Sequence, residues 1–294
     1  MLPLLERLAA GEILISDGAM GTVLQANGLE PGESPESWCV TRPDIVQGIA
    51  RSYVAAGSDI IETNSFGGTH FKQREYGLAD SADAFNIAAV KLAKREIAGK
   101  GYVAASIGPT GQIVEDEGGD VTVDEMYDSF ARQVVALADG GADALCIETM
   151  SSITEATQAI RAAKRNSTLP VICTFTFEGG SRGFRTMMGL TPEAASIAAV
   201  EAGADIVGAN CGNGIDNMIA IAASIRAALP AVPILIHANA GMPVLENGKS
   251  VFKETPQHMA SRVPDLIAAG ANIIGGCCGT TPEHITAMAR AARG

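Results

Sequence analysis

The sequence predicts a single (β/α)8 barrel, that is, a TIM barrel, over residues 1–294. Three observations predict it. A short phrase recurs along the chain, eight apolar segments alternate with helical segments, and no linker or change in composition divides the chain. Barrels of this class carry their active site at the carboxyl ends of the strands. The fold class therefore indicates where functional residues lie.

The recurring phrase consists of small residues with Gly, then Asp or Asn, then an apolar run. It appears as AAGSDIIETNSF (55–66), DGGADALCIETM (139–150), EAGADIVGANC (201–211) and AAGANIIGGCC (268–278). Each copy follows an Ala-rich stretch with helical spacing. The phrase therefore predicts a helix that ends at Gly, a short turn and a buried strand.

Four more apolar segments complete the set of strands. They are EILISDGAMG (12–21), YVAASIGPTG (102–111), PVICTFTFE (170–178) and PILIHANAG (233–241). We expect strands that end near residues 16, 64, 107, 149, 177, 211, 239 and 277. Helices are expected between them, and Thr191 and Thr281 are typical helix starts because Pro follows each hydroxyl residue. An open doubly wound sheet is the alternative, but no GxGxxG follows the first strand.

Composition and charge narrow the class of function. The net charge of −12 argues against general binding of nucleic acid, which requires a basic surface. No 18-residue apolar stretch and no signal-peptide pattern is present, so we expect a cytoplasmic protein without a membrane partner. The six cysteines are then expected to be free thiols or metal ligands rather than disulfides. Nothing in the sequence predicts the oligomeric state.

Polar and reactive residues concentrate where the predicted strands end. Read in chain order, these ends are Asp17, Glu62-Thr63-Asn64, Gly108-Pro109-Thr110, Glu148-Thr149, Glu178, Asn210-Cys211, His237-Ala238-Asn239 and Cys277-Cys278. All of them follow apolar runs. We expect the side chains to share the catalytic rim of the barrel.

Three cysteines are the candidate metal ligands. Cys211 ends the sixth strand, and Cys277 and Cys278 end the eighth, so only one strand separates them in a closed barrel. Neighbouring side chains on a strand point to opposite faces, and the flanking glycines allow the chain to bend so that both face the metal. Three thiolates favour zinc, and three protein ligands with one open position are typical of a catalytic site. Core packing or a strained vicinal disulfide are the alternatives; Cys146 and Cys173, inside apolar runs, are predicted core residues.

The segments Asp17–Thr22, Glu62–Phe66, Asn210-Cys211 and Gly275–Gly279 together resemble the homocysteine S-methyltransferase family. That family includes betaine–homocysteine methyltransferase and the N-terminal module of cobalamin-dependent methionine synthase, to which the chain is most similar. The resemblance runs from about residue 10 to the C-terminus. It implies one zinc-dependent S-methyltransferase domain over residues 1–294 that takes part in methionine biosynthesis.

The resemblance also implies roles for individual residues. Cys211, Cys277 and Cys278 are expected to bind zinc, an acceptor thiol takes the fourth position, and Asn239 occupies that position when substrate is absent. Asp17 and Glu148 are expected to hold the amino group of homocysteine, which agrees with the preference of an ammonium for carboxylates.

The sequence also supports expectations for four other residues. Gly18, Asn64 and Ser65 are expected to line the substrate pocket, although turn stabilisation is the alternative for Asn64 and Ser65, as it is for Asp17. His237 is expected to be a hydrogen-bonded barrel residue rather than a ligand, because three cysteines suffice.

The methyl donor is a separate question. No Asp-x-His-x-x-Gly cobalamin motif appears, so a corrinoid donor would arrive on another protein. The segments IGPTG (107–111), HANAG (237–241) and GMPVLENG (241–248) resemble the methionine synthase module, which favours methylcobalamin on a separate corrinoid protein. S-methylmethionine, S-adenosylmethionine or a betaine is the alternative donor.

Two further alternatives stay open. Methionine synthases usually continue after the metal cysteine with an apolar residue and Gly-Pro, whereas this chain has Gly212-Asn213-Gly214-Ile215, so another thiol could be the acceptor. A non-catalytic barrel that binds zinc or thiols as a sensor or chaperone is the second, and the rim carboxylates argue against it.

Overall fold

Eight parallel strands form the centre of the molecule. The structure is a computed structural model that describes residues 2–181, 183–246 and 249–294. The strands are β1 (Leu14–Ile15), β2 (Ile60–Glu62), β3 (Tyr102–Ile107), β4 (Ala144–Met150), β5 (Val171–Phe175), β6 (Ile206–Asn210), β7 (Ile234–Ala238) and β8 (Ile273–Gly276). Their ends fall within two residues of the positions expected from the sequence.

The eight strands close into a barrel. Each strand pairs with its neighbour in the chain from β2 to β8, and β8 pairs with β1. A parallel bridge between Ser16 and Ile60 joins β1 to β2, and the backbone N–H of Asp59 donates to the Ile15 carbonyl at 2.7 Å. The (β/α)8 prediction is confirmed, and the doubly wound alternative is excluded.

One long helix follows each strand on the outside. These helices are α1 (Pro43–Ala56), α2 (Ala82–Ile97), α3 (Val123–Gly140), α4 (Ile153–Asn166), α5 (Pro192–Ala202), α6 (Ile215–Ala228), α7 (Pro256–Ala268) and α8 (Pro282–Arg293). The Gly residues of the recurring phrase end α1 and α5 as expected, because Gly57 and Gly203 adopt left-handed φ angles of 100° and 115°. The predicted helix starts are also present: the Thr191 hydroxyl accepts from the Ala194 N–H, and Thr281 precedes Pro282.

The core has an inner and an outer part. Inward side chains such as Leu14, Ile60 and Ile172 fill the base of the barrel, and the outward ones pack between strands and helices. Cys146 belongs to the inner part and Cys173 to the outer part, and both are fully buried, as predicted. The base of the barrel is thus solid, which leaves the carboxyl ends of the strands for a site.

Additions to the barrel lie mainly on the loops at these carboxyl ends. Short hairpins follow β5 (residues 178–180 and 183–185) and β7 (residues 244–246 and 249–251). Short helices cover Leu4–Ala9, Gly21–Ala26, Trp38–Thr41 and His70–Glu75. The last two residues of the GMPVLENG segment, Asn247 and Gly248, lie outside the described residues. Within the described part of the chain, no helix is long and apolar enough to cross a membrane.

Candidate active site

A cavity of about 290 Å³ opens at the carboxyl ends of the strands. It is bounded by the first and second loops, by the ends of β3 and β4, and by the three rim cysteines. The lining residues are Asp17, Gly18, Ala19, Met20, Gly21, Thr22, Pro35, Glu36, Glu62, Thr63, Asn64, Phe66, Ser106, Glu148, Thr149, Cys211, Gly276, Cys277 and Cys278. The cavity is where the barrel architecture predicts the active site.

The three rim cysteines converge at one side of this cavity. The sulfur atoms of Cys211, Cys277 and Cys278 all lie within 4.8 Å of one another, and the Cys211 and Cys278 sulfurs are 3.8 Å apart. All three residues are partly exposed. The convergence expected from the sequence is therefore present, and no vicinal disulfide joins Cys277 to Cys278, because all six cysteines are free.

The local backbone explains how neighbouring cysteines reach one point. Strand β8 ends at Gly276, so Cys277 and Cys278 already lie in a turn, which Gly279 continues with a φ of 79°. The Cys277 N–H donates to the Ala238 carbonyl at 2.8 Å and fixes the turn against β7. Cys211 itself adopts a φ of 58°, which is uncommon for a residue with a side chain and which turns it off the end of β6. Backbone strain at such a position is typical of functional sites.

The thiols are electrostatically coupled. Hydrogen bonds from Cys277 and Cys278 to the sulfur of Cys211 lower the pKa of Cys211 to about 3, and the Gly212 N–H and Asn239 contribute. Sharing hydrogen bonds with this thiolate raises the pKa of Cys277, and raises that of Cys278 to about 12. The cluster thus already stabilises one thiolate, the form in which cysteine binds metals.

The donor set fits a zinc ion. Three cysteine sulfurs at these separations supply three corners of a tetrahedron. Asn239 lies beside them and hydrogen-bonds Cys211, yet its buried Oδ1 atom has no hydrogen-bond partner within the described residues. A buried acceptor without a partner is costly, so this oxygen is suited to a fourth ligand position.

The two carboxylates expected to hold an ammonium lie in the same cavity. Asp17 is 2% exposed, and its Oδ2 accepts the backbone N–H of Glu62 at 2.8 Å. Glu148 is 8% exposed, and its carboxylate accepts from the Ser106 hydroxyl and from Asn210. Burial raises the pKa of Asp17 well above its usual value and raises that of Glu148 to about 7. Both carboxylates would gain from a cationic partner.

A third carboxylate, which the sequence analysis did not single out as a site residue, lies beside them. Glu62 ends β2 and lines the cavity. Burial raises its pKa well above the usual value, and the nearby charges of Glu148 and Asp17 raise it further. The sequence contains a pattern that could have indicated a role for Glu62 like that of Glu148: Ile61-Glu62-Thr63 and Ile147-Glu148-Thr149 are the same tripeptide in two copies of the recurring phrase.

His237 differs from expectation. It is buried, as a barrel residue should be, but its Nε2 has no hydrogen-bond partner in the described part of the chain. Its Nδ1 lies 3.7 Å from Glu62 Oε1, across the barrel. Burial lowers the pKa of His237 to about 3, so the ring is neutral. The expected hydrogen-bonded histidine is wrong, because the facing Glu62 is too distant for a hydrogen bond.

Asn210 connects the carboxylate side of the cavity to the cysteine side. Its Nδ2 donates to Glu148 Oε2 at 3.1 Å and to the Thr149 hydroxyl at 2.7 Å. Its Oδ1 accepts from the Thr149 N–H and the Thr174 hydroxyl. Because Cys211 is the next residue, this one amide fixes both a carboxylate and a metal-ligand candidate.

The remaining predicted residues are distributed around the cavity wall. Gly18 and Asn64 line it, but the Asn64 amide also donates to the Pro35 carbonyl at 2.7 Å. Ser65 is fully buried behind the wall, where its hydroxyl donates to the Ser106 carbonyl at 2.7 Å. A Cβ on Gly18 would lie 2.7 Å from Thr280 Oγ1, so this Gly is required by packing. Glu178 is exposed on the hairpin after β5.

The fold and the site together define a class of protein, a barrel enzyme in which three cysteines that could hold a metal ion lie beside buried carboxylates. The sequence profile of the family described as homocysteine S-methyltransferase matches residues 14–292. The chain therefore belongs to the homocysteine S-methyltransferase family, and it is a methyltransferase.

Solved structures agree with this assignment. The homocysteine methyltransferase MmuM from Escherichia coli in its metallated form is 25% identical, with a TM-score of 0.81 over 98% of this chain and 99% of that chain. The oxidised form of MmuM is 26% identical, with a TM-score of 0.78 and the same coverage. The apo form of MmuM, at 23% identity and a TM-score of 0.72, shares the fold over 97% of each chain.

Proposed function

We propose that this chain is a zinc-dependent homocysteine S-methyltransferase that produces methionine, and that residues 1–294 act as one catalytic domain. The observation that carries the proposal is the convergence of Cys211, Cys277 and Cys278 on the wall of a cavity that also contains buried carboxylates. Membership of the family and the TM-score to metallated MmuM support it.

The three cysteines would hold the zinc ion, with Asn239 as the fourth ligand in the absence of substrate. Zinc, when bound, lowers the pKa of a coordinated thiol, so that the acceptor sulfur is a thiolate at neutral pH. Asp17 and Glu148 would accept the ammonium group of homocysteine and direct its thiol towards the cysteine cluster. The fixed positions of both carboxylates lower the entropic cost of orienting the substrate.

Homocysteine is the favoured acceptor. The alternative thiol rests on the departure from the methionine synthase pattern at residues 212–215. None of these four residues, which the structure describes, lines the cavity, and the Asn213 amide donates to the Phe177 carbonyl at 2.6 Å. The changed residues therefore make a contact between loops outside the cavity, and they give no reason to favour a different substrate.

For the donor, we favour methylcobalamin carried by a separate corrinoid protein. The methionine synthase-like segments IGPTG and HANAG support this choice. Loops that follow the carboxyl ends of the strands also expose large apolar side chains, and such surfaces are typical of interaction sites. These side chains are Phe66, Ile113, Met187, Met188, Met242 and Leu245.

Small-molecule donors are the second candidate, and the acidity of the cavity favours them. S-methylmethionine, S-adenosylmethionine and betaine each carry a positive charge on the atom that bears the methyl group. Asp17, Glu62 and Glu148 would attract such a cation. A purely zinc-binding or thiol-binding barrel would have no need of these buried carboxylates, which are costly without a partner. The free cysteines fit the reducing cytoplasm that we propose as the location.

The test is a methyl-transfer assay on the zinc-loaded chain. Homocysteine is combined with a methylated corrinoid protein, free methylcobalamin, S-methylmethionine, S-adenosylmethionine or betaine, and methionine is measured. We expect methionine formation that disappears after chelation of zinc and returns when zinc is restored. Methionine formation that persists at full rate without metal would contradict the proposed role of the cysteines, and no methionine with any donor would contradict the proposed reaction.

A further inference from the structure

We infer that Glu62 is a substrate-binding residue that selects thiols bearing an α-ammonium group, an inference that rests on the proposed function and extends it. The resemblance to the family accounts for Asp17 and Glu148, whereas the cavity is lined by two further carboxylates, the buried Glu36 and the mostly buried Glu62 at the end of β2.

The hydrogen bonds of the four carboxylates differ. Both oxygens of Glu36 are occupied, Oε1 by the Gly67 N–H and Oε2 by the Ser34 hydroxyl and the Gln73 amide. Both oxygens of Glu148 are occupied, Oε1 by the Ser106 hydroxyl and Oε2 by the Asn210 amide. Asp17 receives the backbone N–H of Glu62 on Oδ2 and the Ser16 hydroxyl on Oδ1. The Glu62 carboxylate, by contrast, receives only a weak hydrogen bond, from the Cys146 thiol, and its buried Oε1 has no nitrogen or oxygen partner among the described residues. Because Glu62 also lines the cavity, it is the carboxylate with acceptor capacity left for a ligand.

No side chain of the described chain neutralises Glu62. The side chain close to Glu62 that could carry a positive charge is His237, whose Nδ1 lies 3.7 Å from Glu62 Oε1. Burial lowers the pKa of this histidine and keeps the ring neutral. The side chain of Glu62 is only 15% exposed, and Asp17 and Glu148 add negative charge nearby. A mostly buried carboxylate in this setting is unfavourable unless a cation binds to it.

Contacts from neighbouring strands hold Glu62 at the bottom of the cavity. The Glu62 backbone is fixed by its own N–H to Asp17, and His237 reaches across the barrel towards its carboxylate. That reach depends on Gly275, because a Cβ there would lie 2.8 Å from His237 Cδ2. The carboxylate is thus a built part of the cavity floor.

An α-ammonium group matches the vacant acceptor. It offers three N–H donors, and Asp17, Glu62 and Glu148 provide one acceptor group for each. Charge-assisted hydrogen bonds of this type are the strongest and the most selective against an uncharged analogue. Glu62 therefore distinguishes homocysteine from a thiol of the same length that lacks the amine.

The experiment compares homocysteine with its deaminated analogue, 4-mercaptobutanoate, on wild type, Glu62→Gln and Glu62→Asp. We expect Glu62→Gln to raise the KM for homocysteine and to weaken its calorimetric binding by about tenfold or more, with a smaller change in kcat. Binding and methylation of 4-mercaptobutanoate should change little. Glu62→Asp, which keeps the charge, should recover part of the lost affinity.

The matched control is Glu155→Gln, a buried carboxylate outside the cavity. Its Oε1 accepts both hydrogen bonds from Thr110, and an amide oxygen can accept them equally. Its KM for homocysteine should be unchanged. Equal effects of Glu62→Gln on both thiols, or no effect on either, would overturn the inference but not the proposed function. Failure of the wild-type chain to bind or methylate homocysteine would instead overturn the proposed function.

Discussion

The amide of Asn210 donates to the carboxylate of Glu148 over 3.1 Å and so ties the end of β6 to the end of β4. Asn210 precedes the metal-ligand candidate Cys211, and Glu148 is a proposed ligand of the substrate ammonium. This hydrogen bond, together with those between Asn210 and Thr149, therefore sets the distance between the proposed ammonium-binding side and the proposed metal-binding side of the site. Its partner atoms are buried, so its loss is not compensated by water.

Replacement of Asn210 by Asp should disturb the positions of both Glu148 and Cys211. Asn210→Asp removes the donor and places a second negative charge beside Glu148, so we expect a loss of about 2 kcal/mol or more in unfolding free energy. The kcat/KM for homocysteine should fall as well. Urea denaturation and steady-state kinetics measure the two effects. Asn86→Asp, at a buried amide that bonds Gly68 and Ala82, is the control that lowers stability alone. An unaltered kcat/KM in Asn210→Asp would refute the coupling.

The cysteine cluster makes a direct prediction about metal content. Cys211→Ser, Cys277→Ser and Cys278→Ser should each weaken zinc binding by more than the roughly 10–100-fold that loss of an outer-sphere partner costs. Zinc per chain is measured by elemental analysis after dialysis. Cys173→Ala is the matched control, because Cys173 is fully buried in β5 and should leave the zinc content unchanged. Full zinc content in the three serine variants would show that the metal binds elsewhere.

The raised pKa of Glu148 predicts how stability depends on pH. The folded-state pKa of about 7 lies above the ordinary 4.5, so ionisation of Glu148 lowers the unfolding free energy of the wild-type chain. This loss of stability is absent below pH 4.5, grows as the pH rises and is complete above about 7. Glu148→Gln should therefore stabilise the metal-free chain by up to about 3 kcal/mol at pH 8, and by less at pH 5.5.

Denaturation at pH 5.5 to 8.5 measures this difference between Glu148→Gln and wild type. The control is Glu178→Gln, on the exposed hairpin, which should give no such pH-dependent gain. A gain from Glu148→Gln that is constant across the range, or that grows as the pH falls, would contradict the assigned shift.

Two glycines of the site should respond in opposite ways to a methyl group. Gly275→Ala places a Cβ 2.8 Å from His237 Cδ2, from the Asp17 carbonyl and from Ser16 Cβ, and should destabilise by about 1–3 kcal/mol. Gly21→Ala, in the first turn of a helix, meets no atom of the described residues within 4 Å and should be neutral or stabilising by up to about 1 kcal/mol. Thermal or urea unfolding measures both. Equal stability of the two variants would contradict the crowding at Gly275.

Much of the fold was predictable because its signals are local. Each Gly that ends a helix and each apolar run that follows it lie within one short segment, which explains why strand ends were predicted to within two residues. The turn that brings Cys277 and Cys278 to the same side was predictable for the same reason, because Gly275-Gly276 and Gly279 flank the two cysteines in the sequence. Once the barrel closes, neighbouring strand ends must converge.

The features that were not predicted depend on contacts across the barrel. Glu62 was expected on the catalytic rim, but its position beside Asp17 and Glu148 depends on the register of β2 against β3. The unpaired state of His237 depends on its distance from β2. The hydrogen bonds of Asn210 to Glu148, Thr149 and Thr174 join three strands. No spacing in the sequence specifies such distances. The burial of Ser65 behind the cavity wall is a similar case, because its partner Ser106 comes from the neighbouring strand.

The most direct test of the central claim is zinc X-ray absorption spectroscopy of the zinc-loaded chain, with and without homocysteine. The account predicts three sulfur ligands at about 2.3 Å and one oxygen ligand, from Asn239, in the free protein. Saturation with homocysteine should replace the oxygen and give four sulfur ligands. An unchanged ligand set at saturating homocysteine would show that the substrate thiol does not reach the metal, and it would contradict the account.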